Sequence, residues 1–293
     1  MLNNFFIGLN AKLVSYVDNM VKGRMQFFKI NDMVDLVKDN LIDIVDMGFD
    51  AVMGIPRSGV LPASIISLFT GKPLVTLYDL EDGVVSVSGY FKNVKNVLLV
   101  DDSVVSGSSF NNCKTMLVNM GFNVLTLSVF VHKNGFKKVD KYLSLTGDRV
   151  LYEWAFIKSR RNYLIGFDLD GVLCNDKDLV GVKDVDVYRE NLVYAKPFLI
   201  PQYRIDYIIT NRLECFRNIT VDWLKKNNVS YRHLIMWDER WDSRKGRYGI
   251  NKVNNVKKLK LGLFIESNDN QARMINYHTN IPVLCISSMR LYS

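Results

Sequence analysis

The 293-residue sequence predicts an α/β protein built as two doubly wound domains with mainly parallel sheets, residues 1–155 and 156–293. Three observations carry this expectation. Short apolar runs recur along the chain with helix-spaced segments between them, the order that produces parallel sheets. Several of these runs end abruptly in polar residues, as strands do at the carboxyl edge of an open sheet, where ligands bind. The whole cycle then restarts at Tyr163, after the basic segment KSRRN, in a chain long enough for two cores. Each half reads as a Rossmann-like unit.

In the first half, Met33, Leu36, Val37, Leu41, Ile44 and Val45 fall at helical spacing and Gly48 closes the pattern. This predicts one amphipathic helix within residues 30–48. AVMGI is then a buried strand, PRSG its terminal loop, and VLPASIISLFTG a helix stopped by Gly71. PLVTLY, NVLLVDD and NVLTLSVFVH are further strands, with VLYEWAF a less regular one. The second half opens with YLIGFDLDG, continues after an irregular stretch with YIITNR, and has LGLFIES near its end. No repeat of fixed period runs through the chain.

Composition narrows the class. Hydrophobic residues make up 48% of the chain, and no Pro-, Gly- or Ser-rich tract marks disorder. The N-terminal segment lacks the basic and apolar regions of a signal peptide, and no run of about 18 apolar residues could span a membrane. Cys113, Cys174, Cys215 and Cys285 are widely spaced without a CxxC pair, the pattern of free thiols in a reducing compartment. A soluble, cytoplasmic protein is expected. Of the net charge of +8, residues 1–150 hold 15 basic and 14 acidic side chains against 23 and 16 in the remainder. A basic second half could steer anionic substrates, although a solvated face accounts for it equally. No nucleic-acid-binding module is recognisable, so no nucleic-acid partner is expected.

The segment NVLLVDDSVVSGSSF joins an apolar strand, two adjacent acids and a Ser/Gly loop that opens a helix. Small residues at a helix N-terminus expose backbone N–H groups to an anion, and the helix dipole favours its charge. Ser106, Gly107, Ser108 and Ser109 are therefore candidates to hold a phosphate. Asp101 and Asp102 could accept hydrogen bonds from a sugar diol. An acidic strand end followed by an ordinary serine cap fits the same spacing.

These residues resemble the 5-phosphoribosyl pyrophosphate (PRPP) signature of type I phosphoribosyltransferases, with serines where that family commonly has threonines. GIPRSG, about 45 residues earlier, resembles the family's pyrophosphate loop, and Arg57, Ser58 and Gly59 carry the likeness. The resemblance covers about residues 25–150. It implies displacement of pyrophosphate from the anomeric carbon, with Mg2+ neutralising the leaving group. LEDGVVSVSGYFKNVKN stands where the family has a mobile lid; Ser86, Ser88 and Tyr90 fit a plain hairpin as well.

In the second half, LIGFDLDGVL ends an apolar strand in two aspartates separated by one residue. One such carboxylate can attack phosphorus while the other exchanges a proton with the leaving oxygen and then with water. FDLDGVL resembles the first motif of the haloacid dehalogenase superfamily, which implies Asp168 as nucleophile and Asp170 as acid/base. IITNR resembles the second motif, with Thr210 on the phosphoryl group and Asn211 nearby. KVNNVKKLKLGLFIESND resembles the third and fourth, implying Lys252 as the phosphate-binding lysine, with Lys257 and Lys258 as competitors. The same likeness implies a magnesium site made by Asp168, Asp170 and Glu266; Ser267 stands where a paired acid is frequent, leaving Asp269 as a second source. The likeness covers about residues 162–290.

Only about 40 residues separate the first two motifs, so the cap over this site is small or absent. An open site suits a bulky substrate. His132, His233 and His278 have no metal or triad spacing and read as satisfied or surface histidines. The cluster around Trp237, Arg240, Trp241 and Arg244 reads either as a sugar or phosphate grip or as a loop packing its tryptophans.

Two such activities on one chain suggest successive steps: transfer of 5-phosphoribosyl from PRPP to an acceptor, then removal of the 5-phosphate. A glycan hydroxyl is the favoured acceptor, because dephosphorylation then leaves neutral ribofuranose, and the domain pairing resembles PRPP-dependent routes to ribofuranose in bacterial polysaccharides. A nucleobase transferase fused to a 5'-nucleotidase is the alternative. A PRPP-sensing domain regulating a phosphatase is the third reading.

Overall fold

The computed structural model describes residues 25–76, 85–86, 89–90, 94–158, 163–238 and 248–293. They form an α/β protein with mainly parallel sheets, in two compact units that divide between Trp154 and Ala155.

In the first unit, β1 (Gln26–Phe28) leads into helix α1 (Ile30–Asp39) and the short α2 (Leu41–Val45). The single helix expected within residues 30–48 is thus broken at Asn40. Its side-chain amide donates to the Leu36 carbonyl at 2.8 Å, satisfying a last-turn acceptor, and Gly48 takes φ 73° beyond the second helix. Of the six apolar positions, Met33, Val37 and Ile44 are buried, whereas Val45 is exposed. β2 (Ala51–Gly54) and α3 (Val60–Thr70) follow as expected, with Gly71 at φ 67° ending the helix. PLVTLY contributes only a bridge from Leu74 to Val52; its last two residues lie outside the described ones. Val85–Ser86 and Gly89–Tyr90, here β3 and β4, pair as an antiparallel hairpin; Ser88 is not among the described residues.

β5 (Asn96–Val104), α4 (Ser108–Asn119) and β6 (Asn123–His132) complete the central βαβ unit. β7 (Lys141–Thr146) adds a strand the sequence reading did not name. The parallel sheet runs β2-β5-β6-β7. With the Leu74 bridge on the far side of β2, the chain reverses its direction of travel between β2 and β5, the place where open sheets bind ligands. The core holds Met53, Ile55, Leu99, Phe110 and Leu117. β8 (Val150–Tyr152), within VLYEWAF, pairs with β1 rather than with the central sheet.

In the second unit the sheet order is β11-β10-β9-β12-β13-β14. The members are β9 (Ile165–Phe167), β10 (Ile205–Leu213), β11 (Tyr231–Trp237), β12 (Leu263–Glu266), β13 (Val283–Cys285) and β14 (Arg290–Tyr292). All pairs are parallel except the β13–β14 edge. β9 is central, and the chain builds outward from it first through β10 and β11, then through β12 and β13. The helices are α5 (Val185–Tyr194), α6 (Arg217–Lys226), α7 (Tyr248–Leu259) and α8 (Asp269–Thr279). Between β9 and β10 the only regular helix among the described residues is α5.

Candidate functional site

The first unit packs the turn at residues 56–59 against the acidic part of β5, at the β2–β5 boundary. Gly54 pairs with Val100, and the Ile55 amide donates to the Val100 carbonyl at 2.8 Å. The turn that follows, whose Pro56–Arg57 peptide is cis, folds back so closely that a Cβ on Gly59 would lie 2.6 Å from the Val100 oxygen and 2.9 Å from the Asp101 Cα. Only glycine fits there. Arg57 is exposed and Ser58 half-buried beside it.

Asp101 and Asp102 differ despite being neighbours. Asp102 is buried, and its Oδ2 accepts the Trp154 indole N–H at 2.6 Å and the Ser103 hydroxyl at 3.2 Å. Asp101 Oδ1 accepts the Asp102 amide at 2.9 Å. Burial, and then the adjacent Asp102 charge, push the Asp101 carboxyl up to about 8. Beyond them, Gly107 takes φ 75° as the N-cap of α4, and Ser106, Ser108 and Ser109 are exposed around it. The Ser106 and Ser108 hydroxyls lie 3.0 Å apart. The stem of Lys138 lies across Gly107: a Cβ there would meet the Lys138 Cβ at 2.9 Å. Sequence reasoning passed over that lysine, because nothing in its spacing links it to a loop 30 residues earlier.

The second unit gathers a different set. β9 delivers Asp168 to the centre of the sheet edge, where its Oδ1 accepts the Leu169 amide at 2.8 Å. Lys252, on α7, is buried with its Nζ 2.7 Å from Asp168 Oδ2 and 2.8 Å from Glu266 Oε2. Lys257 and Lys258 lie exposed toward the other end of the same helix, so Lys252 is the lysine brought to Asp168. Glu266 Oε1 is occupied by the Ser267 and Asn268 amides. Burial opposes the Lys252 charge, but Asp168 and Glu266 more than offset it and hold the ammonium. Burial also pushes Asp168 well above the usual carboxylate range; Lys252 opposes that shift, whereas Glu266 and Asp170 add to it. Thr210 is buried at β10, its hydroxyl accepting the Arg212 amide at 3.1 Å, and the Asn211 amide donates to Gln271.

Arg212 is the residue that sequence reasoning missed. It stands in the quoted ITNR segment, yet nothing there signals a guanidinium with no exposed side-chain surface, paired with Asp170 at 2.6 Å.

Of the expected magnesium set, Asp168, Asp170 and Glu266 lie near one another, but their carboxylates are engaged by cationic side chains, and Asp269 does not join them. Lys252 occupies Asp168 and Glu266, Arg212 occupies Asp170, and Asp269 turns away, its Oδ1 held by the Ser288 and Tyr292 hydroxyls at 2.7 and 2.6 Å. Where a second acid was sought, the Ser267 hydroxyl donates to the Asp170 carbonyl at 3.1 Å. Among the described residues no group of three or more His, Cys, Asp or Glu side chains could hold a metal ion, so as arranged these residues do not fit one.

His132 bonds Asp148 at 3.0 Å, and His233 stacks on Tyr207. Trp237 is buried at the end of β11, while Arg240, Trp241 and Arg244 lie outside the described residues. All four cysteines are free thiols. No described helix is long and apolar enough to cross a membrane.

No family model matches the chain. It is 32% identical over 97 residues to an orotate phosphoribosyltransferase of Thermococcus gammatolerans, covering 32% of this chain and about half, 51%, of that enzyme. Among solved structures it is similar to a purine phosphoribosyltransferase of Pyrococcus horikoshii (16% identity, 44% of this chain, 92% of the other, TM-score 0.36). A Helicobacter pylori xanthine-guanine-hypoxanthine phosphoribosyltransferase gives 15% identity, 45% and 93% coverage and a TM-score of 0.35. The orotate phosphoribosyltransferase of Aeropyrum pernix gives 20% identity, 39% and 68% coverage and a TM-score of 0.31. The chain is thus similar in sequence to an orotate phosphoribosyltransferase over about a third of its length.

Proposed function

We propose that the first unit binds PRPP and transfers its 5-phosphoribosyl group, and that the second removes the 5-phosphate through an aspartyl-phosphate. The observation carrying the first half is the convergence of the Arg57–Gly59 turn on Asp101, in the strand that leads into the Ser106–Ser109 loop and the α4 N-terminus. In this reading Ser58 and Gly59 present backbone to the pyrophosphate and Arg57 supplies positive charge. Asp101 and Asp102 take the ribose diol, and the α4 N-terminus takes the 5-phosphate. The acceptor hydroxyl then attacks the anomeric carbon, the bond to pyrophosphate breaks, and the hydroxyl proton leaves to solvent.

The second half rests on the Lys252 ammonium bridging Asp168 and Glu266. Asp168 attacks phosphorus, the bond to the sugar oxygen breaks, and Asp170 gives that oxygen a proton. Water then gives a proton back to Asp170 and attacks the aspartyl-phosphate, releasing phosphate. Thr210 and Lys252 hold the phosphoryl oxygens. A glycan hydroxyl as acceptor makes the pairing productive, since the product is neutral ribofuranose. A second reading, a nucleobase transferase joined to a 5'-nucleotidase, is favoured by the likeness to an orotate phosphoribosyltransferase.

The test is pyrophosphate release from PRPP by the Asp168→Asn variant, offered nucleobases and synthetic glycans. Glycan-stimulated release, with a 5-phosphoribosyl adduct accumulating, is the expected result. Release stimulated only by orotate or a purine would transfer the assignment to the second reading.

A further inference from the structure

Asp170 carries its carboxylate in an arrangement that the proposed phosphatase chemistry does not by itself explain. Arg212 Nε lies 3.0 Å from Oδ1 and 3.1 Å from Oδ2, and Nη2 lies 2.6 Å from Oδ1. The Cys174 thiol adds a third donor to Oδ1 at 3.2 Å, and Arg212 Nη2 also reaches that sulfur at 3.2 Å. Oδ1 is therefore filled by three donors, whereas among the described residues Oδ2 receives only the Nε–H. The pair is also lopsided in exposure: the Arg212 side chain has no exposed surface, and that of Asp170 keeps 23%. The guanidinium is anchored from behind by the Thr220 hydroxyl at 3.4 Å. Cys174 sits on the same turn as Asp170, tied to it by a backbone bridge and by the Gly171 amide donating to the Cys174 carbonyl at 2.8 Å.

We infer that Arg212, with Cys174 as its auxiliary, is the positioning residue of the phosphatase reaction: it fixes the Asp170 carboxylate so that Oδ2 alone exchanges the proton with the leaving oxygen and then with water. A guanidinium suits this task. It has donors in a rigid fork but no proton to give or accept at accessible pH, so it orients the carboxylate without competing for the transferred proton. Lysine, a single point charge on a flexible stem, would neutralise Asp170 without choosing between its oxygens. The inference rests on the phosphatase reading, with Asp168 as nucleophile and Asp170 as acid/base.

The experiment compares two phosphate esters on the full chain. Ribose 5-phosphate has an alkoxide leaving group that needs a proton; 4-nitrophenyl phosphate has one that departs without it. Arg212→Lys is expected to lower kcat/KM for ribose 5-phosphate by about 100-fold, the range of one general acid. The same variant should still release a rapid burst of one equivalent of 4-nitrophenol, followed by slow turnover, because only the water-activating step then needs Asp170. Cys174→Ala should shift the ratio of the two substrates in the same direction by about fivefold, roughly one weak hydrogen bond. It supplies the test if Arg212→Lys does not fold, as judged by its thermal transition. An equal loss on both substrates, or no loss on either, would overturn the positioning role. Absence of any Asp168-dependent hydrolysis in the unaltered protein would instead remove the phosphatase reading, and this inference with it.

Discussion

In the first unit the material proposed to face the ligand is backbone and small side chains: Ser106, Ser108 and Ser109 stand exposed around Gly107, and Arg57 projects from a turn shaped by Gly59. In the second, Asp168, Lys252, Glu266 and Arg212 are all buried and already paired with one another or with Asp170. Under the proposed function, the contrast separates two ways of preparing for a phosphate. A cradle of amides and hydroxyls costs little to keep open, because water satisfies its donors until the ligand arrives. A buried ionic cluster is prepared in advance, and its charges must balance before any ligand is present. Substitutions should therefore be read out mainly as binding losses in the first unit and as folding losses in the second.

The largest effect is expected from Lys252→Ala. It removes the counter-charge that Asp168 and Glu266 share in the interior, at a cost of about 3–5 kcal/mol of unfolding free energy. Denaturant titration that found the second unit undisturbed would break the contrast. Lys257→Ala and Lys258→Ala, on the same helix but exposed, should stay within about 0.5 kcal/mol of the parent.

Gly59→Ala comes next. The new methyl would meet three backbone atoms within 2.9 Å, so the turn must shift, costing about 1–3 kcal/mol. Isothermal titration should show PRPP affinity falling further than that loss of stability explains, since the shifted turn is the proposed pyrophosphate contact.

Asp101→Asn sharpens the contrast by pH. The folded carboxyl titrates near 8 against an ordinary value of 3.8, so the folded state keeps a proton that the unfolded chain releases. Its contribution to stability is complete below about pH 4 and is lost as pH rises through 8. Asparagine cannot ionise. The thermal midpoint of the variant relative to the parent should therefore rise between pH 5 and pH 9; a difference independent of pH would show that Asp101 titrates ordinarily.

Much of this was legible in the residues. β5 and its loop stood out because NVLLVDD changes from wholly apolar to acidic within one strand and then to small residues. Lys252 was among three candidate lysines, and burial selected it. What could not be read were contacts made across the sheet. Arg212 is two positions from Thr210, but only the fold shows that β10 turns it inward onto Asp170. Asp269 follows Glu266 closely in sequence, yet it begins α8 and faces Ser288 and Tyr292, because a helix start redirects side chains that spacing alone would group. β7 and β11 escaped notice because KYLSLT and YRHLIMW are partly polar strands without the unbroken apolar run of a central strand. The one helix that proved to be two breaks at Asn40, whose side-chain amide bonds the Leu36 carbonyl, a stop that carries no glycine to mark it in the sequence.

The indole of Trp154 has a consequence beyond packing. Its N–H is committed to Asp102 Oδ2, one of the oxygens proposed for the ribose diol, and its ring stacks on Tyr152 at 5.1 Å. A sugar arriving there must share or displace that hydrogen bond. The chain therefore carries its own optical probe at the diol acid, and tryptophan emission can report occupancy of the first unit independently of whether any product forms.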